Sequence, residues 1–137
     1  MALRQPVRLL IDTHFVIWLM QKPHELTQRE ERALDRASGG VLVSALSLWE
    51  IRLKPEALHR RGKRQVYPSA PAAHKFALTS GFLVEPLTPE ICSASLQHPI
   101  DHHEPFDVMM LIHAEQLGAK LLTRDERMQA HPLALVP

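Results

Sequence analysis

Leu9-Leu10-Ile11-Asp12-Thr13-His14 is an apolar run that ends abruptly in a carboxylate, with a helical pattern directly behind it. A strand buried on both faces of a parallel α/β sheet reads as a continuous apolar run. Ligands bind in the crevice outside the carboxyl ends of such strands, so Asp12 is expected on a rigid support facing a ligand. Leu121-Leu122-Thr123-Arg124-Asp125 repeats the pattern near the other end of the chain. Two strand ends in one parallel sheet place both acids on the same edge. Asp107 falls in the first turn of the helix that precedes the second of these strands, so that helix N-terminus points to the same edge. Glu50 falls within the first two turns of the helix after another short apolar run, Val41-Leu42-Val43-Ser44. Asp12, Glu50, Asp107 and Asp125 are thus expected to converge from distant parts of the sequence.

Carboxylates in close quarters repel and raise one another's pKa. A divalent cation resolves that repulsion, and oxygen-only ligands suit Mg²⁺ or Mn²⁺ rather than zinc. An ion so held, keeping several waters, can activate water and stabilise charge on a phosphoryl oxygen. The chemistry that follows is phosphodiester hydrolysis. Thr13 and Thr123, hydroxyls at the strand ends, could orient an acid or a water. Each acid also has a plainer role. Glu50 with Ser47 completes a Ser-x-x-Glu capping box, Asp107 can favour the helix macrodipole, and Asp12 and Asp125 can cap the segments that follow them. The convergence of all four carries the chemical reading.

The positioning elements follow from the pattern. Val7 to Asp12 is the first strand, and Thr13 to about Met20 is a short, mostly buried helix that Pro23 ends. Thr27-Gln28-Arg29-Glu30 is a capping box opening a helix with Ala33, Leu34 and Ala37 on its buried side, closed by Ser38-Gly39-Gly40. Val41 to Ser44 is the second strand. Ser44 or Ser47 caps the helix carrying Leu48, Trp49, Ile51 and Leu53, which Pro55 is expected to interrupt or bend. Pro68 to Ala73 leads into a helix ending near Gly81, and Phe82 to Leu87 is the third strand. Thr88-Pro89-Glu90 opens a further helix. A polar, His-rich loop, Pro99 to Glu104, precedes a helix from Pro105 to Gly118. Lys120 to Thr123 is the fourth strand, and Leu133 to Val136 an edge strand. Strands alternating with helices predict right-handed crossovers and a single three-layer α/β/α domain over residues 1–137 with a mainly parallel five-stranded sheet. The first strand should lie in its middle, beside Lys120–Thr123.

A chain of 137 residues suffices for one domain with a real core. With 45% hydrophobic and 23% charged residues and a formal net charge of +1, the composition is that of an ordinary soluble protein and neither demands nor excludes nucleic acid. Nine His make the charge sensitive to mild acid. A single cysteine, Cys92, cannot form an internal disulfide and fits a reducing cytoplasm. No apolar stretch reaches the roughly 18 residues of a membrane span, and Met1 to Pro6 lacks a signal-peptide core. A cytoplasmic protein without membrane contact is expected.

Leu10-Ile11-Asp12-Thr13-His14, Ser44-Ala45-Leu46-Ser47-Leu48-Trp49-Glu50-Ile51, His102-His103-Glu104-Pro105-Phe106-Asp107 and Leu122-Thr123-Arg124-Asp125 together resemble the PIN domain. The likeness is greatest to VapC-type toxins of bacterial toxin–antitoxin pairs, and it covers nearly the whole chain in the family's order and spacing. It implies a five-stranded parallel sheet and a ribonuclease dependent on Mg²⁺ or Mn²⁺. Asp12, Glu50, Asp107 and Asp125 become the acidic catalytic site, with Asp12, Asp107 and Asp125 as metal ligands. It further implies an RNA substrate, a cognate antitoxin that wraps the toxin and blocks the site in a heteromeric complex, and commonly a toxin homodimer. Two departures stand out. Val108 occupies the place after the third acid where many relatives have Arg, which puts a phosphate or antitoxin contact in doubt, and Glu104 replaces a frequent Asp.

Other features carry weaker chemistry. The basic stretch of Arg52, Lys54, Arg60, Arg61, Lys63 and Arg64 could track an RNA backbone through phosphate contacts, face the antitoxin, or form a solvated helix end. An aromatic content of 5% argues against base stacking as the main source of RNA affinity. His98, His102 and His103 beside Asp101 and Glu104 fit no structural zinc pattern well. His14 is expected to pack and position, and Trp18 and Trp49 to be core. Two other functions remain open. A phosphohydrolase or phospho-acceptor domain would use Asp12 as nucleophile, though a second Asp soon after it is missing. A non-catalytic module would keep the fold to bind RNA or protein.

Overall fold

The computed structural model describes residues 6–60, 67–101 and 104–137, with the backbone alone for 55–60. Five strands, β1 (Arg8–Ile11), β2 (Gly40–Ser44), β3 (Leu83–Glu85), β4 (Lys120–Leu122) and β5 (Ala134–Leu135), form one sheet in the order β3-β2-β1-β4-β5. Every pairing in it is parallel. The helices are α1 (Thr13–Gln21), α2 (Gln28–Asp35), α3 (Ala45–Arg60), α4 (Ala70–Thr79), α5 (Pro89–Ser93), α6 (Pro105–Gln116) and α7 (Glu126–Gln129).

Successive side chains of a strand point to opposite faces, and β1 uses both for packing. Leu9 and Ile11 join a core with Phe15, Val16 and Ile17 of α1, Ile51 of α3, and Ala73 and Ala77 of α4. Leu10 joins a second core with Met110, Leu111 and Ala114 of α6 and Met128 of α7. Leu9, Leu10 and Ile11 are all fully buried, which is why this run of β1 is apolar on both faces. Two cores, one on each face of the sheet, make the three layers. Truncating Leu10 to Ala would cost about 2–5 kcal/mol by the usual cavity effect.

Beside β1, β4 pairs with Ile11 opposite Leu122, and the Asp12 backbone N–H donates to the Leu122 carbonyl at 3.0 Å. The expected neighbours are therefore neighbours, with Asp12 at the shared edge. At the end of α6, Gly118 adopts φ +63°, and the Ala119 N–H donates back to the Ala114 carbonyl at 2.9 Å. That left-handed closure turns the chain directly into β4.

The structure refines three local expectations. Helix α3 runs through Pro55 without interruption; its packing against α1 and α4 outweighs the missing N–H, as tertiary context often outweighs propensity. Ser44, not Ser47, caps it, accepting from the Leu46 N–H at 3.0 Å. The outer strands β3 and β5 are shorter than their apolar runs, because an edge strand has one partner to hold it.

Candidate active site

Asp12 caps α1 and faces the edge of the sheet at the same time. Its Oδ1 accepts from the Thr13 N–H at 2.8 Å and its Oδ2 from the Thr123 hydroxyl at 2.8 Å. The capping role and the chemical role are thus borne by one side chain. Only 9% exposed, Asp12 has a pKa raised above the ordinary 3.8. Burial is the main cause; the Thr123 bond, His14 and the Thr13 N–H pull it down, and the charge of Glu50 pushes it up.

Thr123, fully buried just past β4, also accepts from the Asp125 N–H at 3.1 Å. One hydroxyl therefore links the two strand-end acids. Across the cleft, Thr13 Oγ1 lies 2.7 Å from Glu50 Oε1 and 2.9 Å from Ser47 Oγ. A hydroxyl has a single proton, so the order that satisfies all three is Ser47 donating to Thr13 and Thr13 to Glu50. Glu50 also pairs with Lys54 at 3.6 Å. It therefore points to the cleft and to Thr13, not to a capping box with Ser47.

Asp107 stands in the first turn of α6, its N–H donating to the Glu104 side chain at 2.8 Å. Glu104 thus caps α6. Asp125 caps α7, accepting from the Arg127 N–H at 2.9 Å, with the Arg127 guanidinium at 3.3 Å. Asp12, Glu50, Asp107 and Asp125 line a single cleft of about 260 Å³ together with His14, Trp18 and Arg124. The lining carboxylates offer an all-oxygen donor set, the chemistry that suits a hard divalent cation. Among the described residues no three His, Cys, Asp or Glu side chains are gathered tightly enough to hold an ion as they stand. Asp125 is turned to Arg127 and Glu50 to Thr13.

Arg124 went unnoticed in the sequence. Its Nε and Nη2 donate to the two Glu30 carboxylate oxygens at 2.8 and 2.7 Å, and Nη2 also reaches the Glu25 carbonyl at 2.9 Å. The guanidinium lies 4.2 Å from the centroid of the Trp18 ring. Trp18 is half-buried and packs against the core as expected, and it also forms part of the cleft wall, with His14 exposed beside it. Trp49 is not core: it is 54% exposed, on the face of α3 turned away from Ile51. In the basic stretch, Lys54 reaches the site through Glu50, whereas exposed Arg52 borders a separate hollow with Trp49 and His74. Arg60 ends α3, and Arg61, Lys63 and Arg64 lie outside the described residues, as do His102 and His103. His98 contributes its carbonyl to the His131 ring, 2.6 Å from Nε2.

Comparison with known proteins agrees with this architecture. A solved toxin–antitoxin complex from Klebsiella pneumoniae contains a chain similar in fold, with a TM-score of 0.60 and 18% identity, covering 93% of this chain and 96% of that one. No protein of curated function matches the sequence. The PIN domain family model matches residues 9–132, nearly the whole chain from within β1 to just short of β5. The chain belongs to the PIN domain family, whose members are generally nucleases.

Proposed function

We propose that the chain is a metal-dependent endoribonuclease and the toxin of a toxin–antitoxin pair. The observation that carries this reading is the single cleft lined by Asp12, Glu50, Asp107 and Asp125. Asp12, Asp107 and Asp125 would hold Mg²⁺ or Mn²⁺. The ion supplies activation of water and neutralisation of charge on the phosphoryl oxygen. Thr13 and Thr123 keep both oxygens of Asp12 in fixed directions. Glu50, held by Thr13 and Lys54, is placed to take the proton of the attacking water at its carboxylate.

The partner follows from the fold neighbour, which is part of a toxin–antitoxin complex and of matching length. A cognate antitoxin covering the acidic cleft, and a homodimer of the toxin within that heteromeric assembly, complete the reading. Among the described residues no helix is long and apolar enough to cross a membrane.

Single-stranded RNA is incubated with the purified protein, with Mg²⁺ or Mn²⁺ and with chelator. Cleavage is expected only with the ion, and Asp12→Asn or Asp107→Asn should abolish it while circular dichroism is unchanged. Unaltered cleavage by Asp12→Asn would sink the mechanism. The spread of the acids beyond one coordination shell favours, as a second reading, a non-catalytic module that binds RNA or protein. Calorimetry decides between them, because such a module would bind no divalent ion.

A further inference from the structure

One wall of the acidic cleft is not made of acids. His14 and Trp18 lie one turn apart on α1, their rings 5.7 Å apart and tilted by 33°. Phe15, fully buried, backs the Trp18 ring edge-on at 5.1 Å. Arg124 lies against Trp18 and is gripped by Glu30 and the Glu25 carbonyl through Nε and Nη2. Nη1 has no protein partner among the described residues. His14, Trp18 and Arg124 all line the cleft with the carboxylates.

These features share a physical consequence. Phe15, Val16 and Ile17 of α1 are buried, whereas Trp18, packed against the same core, and exposed His14 keep ring surface at the cleft. The Glu30 ion pair neutralises Arg124 and holds its plane against the indole, so the wall is stiff before anything binds, and little ordering remains to oppose binding. Flat rings and a guanidinium plane beside a phosphodiester site match a nucleobase, which stacks on aromatic side chains and Arg planes only when unpaired. The low overall aromatic content does not count against this, since the fold concentrates these rings where they are used.

We propose that His14, Trp18 and Arg124 form a base-stacking wall that receives one unpaired nucleotide flanking the scissile phosphate, and thereby select the sequence that is cut. The Nη1 donors remain for the edge or phosphate of that nucleotide. The proposal rests on the ribonuclease reading and deepens it.

Two measurements test it. In the first, a mixed-sequence single-stranded RNA pool is cut with Mn²⁺ present and the ends are sequenced for wild type, His14→Ala, Trp18→Leu and Trp18→Phe. Wild type should show a base preference at a position beside the cut. His14→Ala and Trp18→Leu should flatten it, and Trp18→Phe, which keeps a ring, should retain it. In the second, oligonucleotides carrying 2-aminopurine are titrated into Asp12→Asn protein, which leaves RNA uncut. Stacking should quench the fluorescence, and adding His14→Ala or Trp18→Leu should remove the quenching and weaken binding roughly 5- to 100-fold, the range of base–aromatic stacking. Wild-type cleavage with preference and affinity unmoved in both variants overturns the wall. So does oligonucleotide binding without quenching. If wild type cuts no RNA, the ribonuclease reading has failed on its own, and the quenching arm still decides whether the wall takes a base. His14 is exposed, so its variant does not depend on core repacking.

Discussion

Thr123 donates its hydroxyl proton to Asp12 at 2.8 Å, joining residues 111 apart in sequence at the ends of two adjacent parallel strands. The same oxygen accepts from the Asp125 N–H, so one buried hydroxyl sets the mutual position of two acids of the proposed site. Val is nearly isosteric with Thr but offers neither function. Thr123→Val should lower divalent-ion affinity by about 10- to 100-fold, the usual effect of losing a group that orients a ligand, and should reduce cleavage with it. Isothermal calorimetry with Mn²⁺ checks the affinity, and an unchanged value would remove Thr123 from the site.

Asp12 is a burden to the empty protein. Burial raises its pKa above the ordinary value of 3.8, so the stability it contributes is complete below that value and is lost as pH rises through the raised one. Above that raised value the ionised carboxylate opposes folding, and Asp12→Asn removes the charge while keeping the shape. The variant should be inactive yet melt a few degrees higher than wild type in chelator. Differential scanning calorimetry at neutral pH measures this, and a lower melting temperature for Asp12→Asn would contradict it.

An ion shared by Asp12, Asp107 and Asp125 should reverse that burden. Any ligand that binds the native state alone stabilises it, by about 2.7 kcal/mol at a hundredfold excess over its Kd. Mn²⁺ or Mg²⁺ should raise the melting temperature of wild type, chelator should restore it, and Asp107→Asn should show little response. Arg127→Ala, which frees Asp125 from a competing guanidinium at 3.3 Å, should strengthen the response. Identical thermal shifts in wild type and Asp107→Asn would place the ion elsewhere.

Glu30 and Arg124 tie α2 to the end of β4 through a two-pronged pair at 2.8 and 2.7 Å. Hydrogen bonding to Arg124 holds the Glu30 carboxyl below its ordinary value of 4.5. Its contribution is therefore present above that value and lost as pH falls through the lowered one. Glu30→Gln should cost about 1.5–3 kcal/mol, typical of a hydrogen bond to a charged group. It should also flatten the acid limb of the stability curve, as read by urea unfolding at a series of pH values.

His113 is fully buried in α6, its Nδ1 2.8 Å from Ser44 Oγ. Burial lowers its pKa below the ordinary 6.5, against the opposing effects of Glu85 and the Pro86 backbone. The unfolded chain then takes up a proton before the native one does, so stability falls as pH drops below about 6.5. His113→Leu should flatten this part of the profile relative to wild type. Parallel profiles for the two proteins would show that His113 does not titrate differently on folding.

Much of this arrangement was legible in residue order alone. Leu9-Leu10-Ile11 and Leu121-Leu122 read as central parallel strands because both faces of such strands are covered, and the acids after them could only fall at the sheet's carboxyl edge. Thr27, Thr88 and Gly118 marked helix ends because their chemistry satisfies the backbone groups left open there. Residues whose role depends on a distant partner were not legible. Trp18 reads as core, and its second place in the cleft wall emerges only when Arg124 is seen across it; nothing local in the sequence marks Arg124, which Glu30, 94 residues away, holds in place. Trp49 and Ile51 share a helix and an apolar pattern, yet only Ile51 faces the sheet. Local sequence determines the elements and their ends, since backbone hydrogen bonding and capping are short-range. The crossovers determine which side chains meet in the cleft, and that became visible only in the tertiary structure.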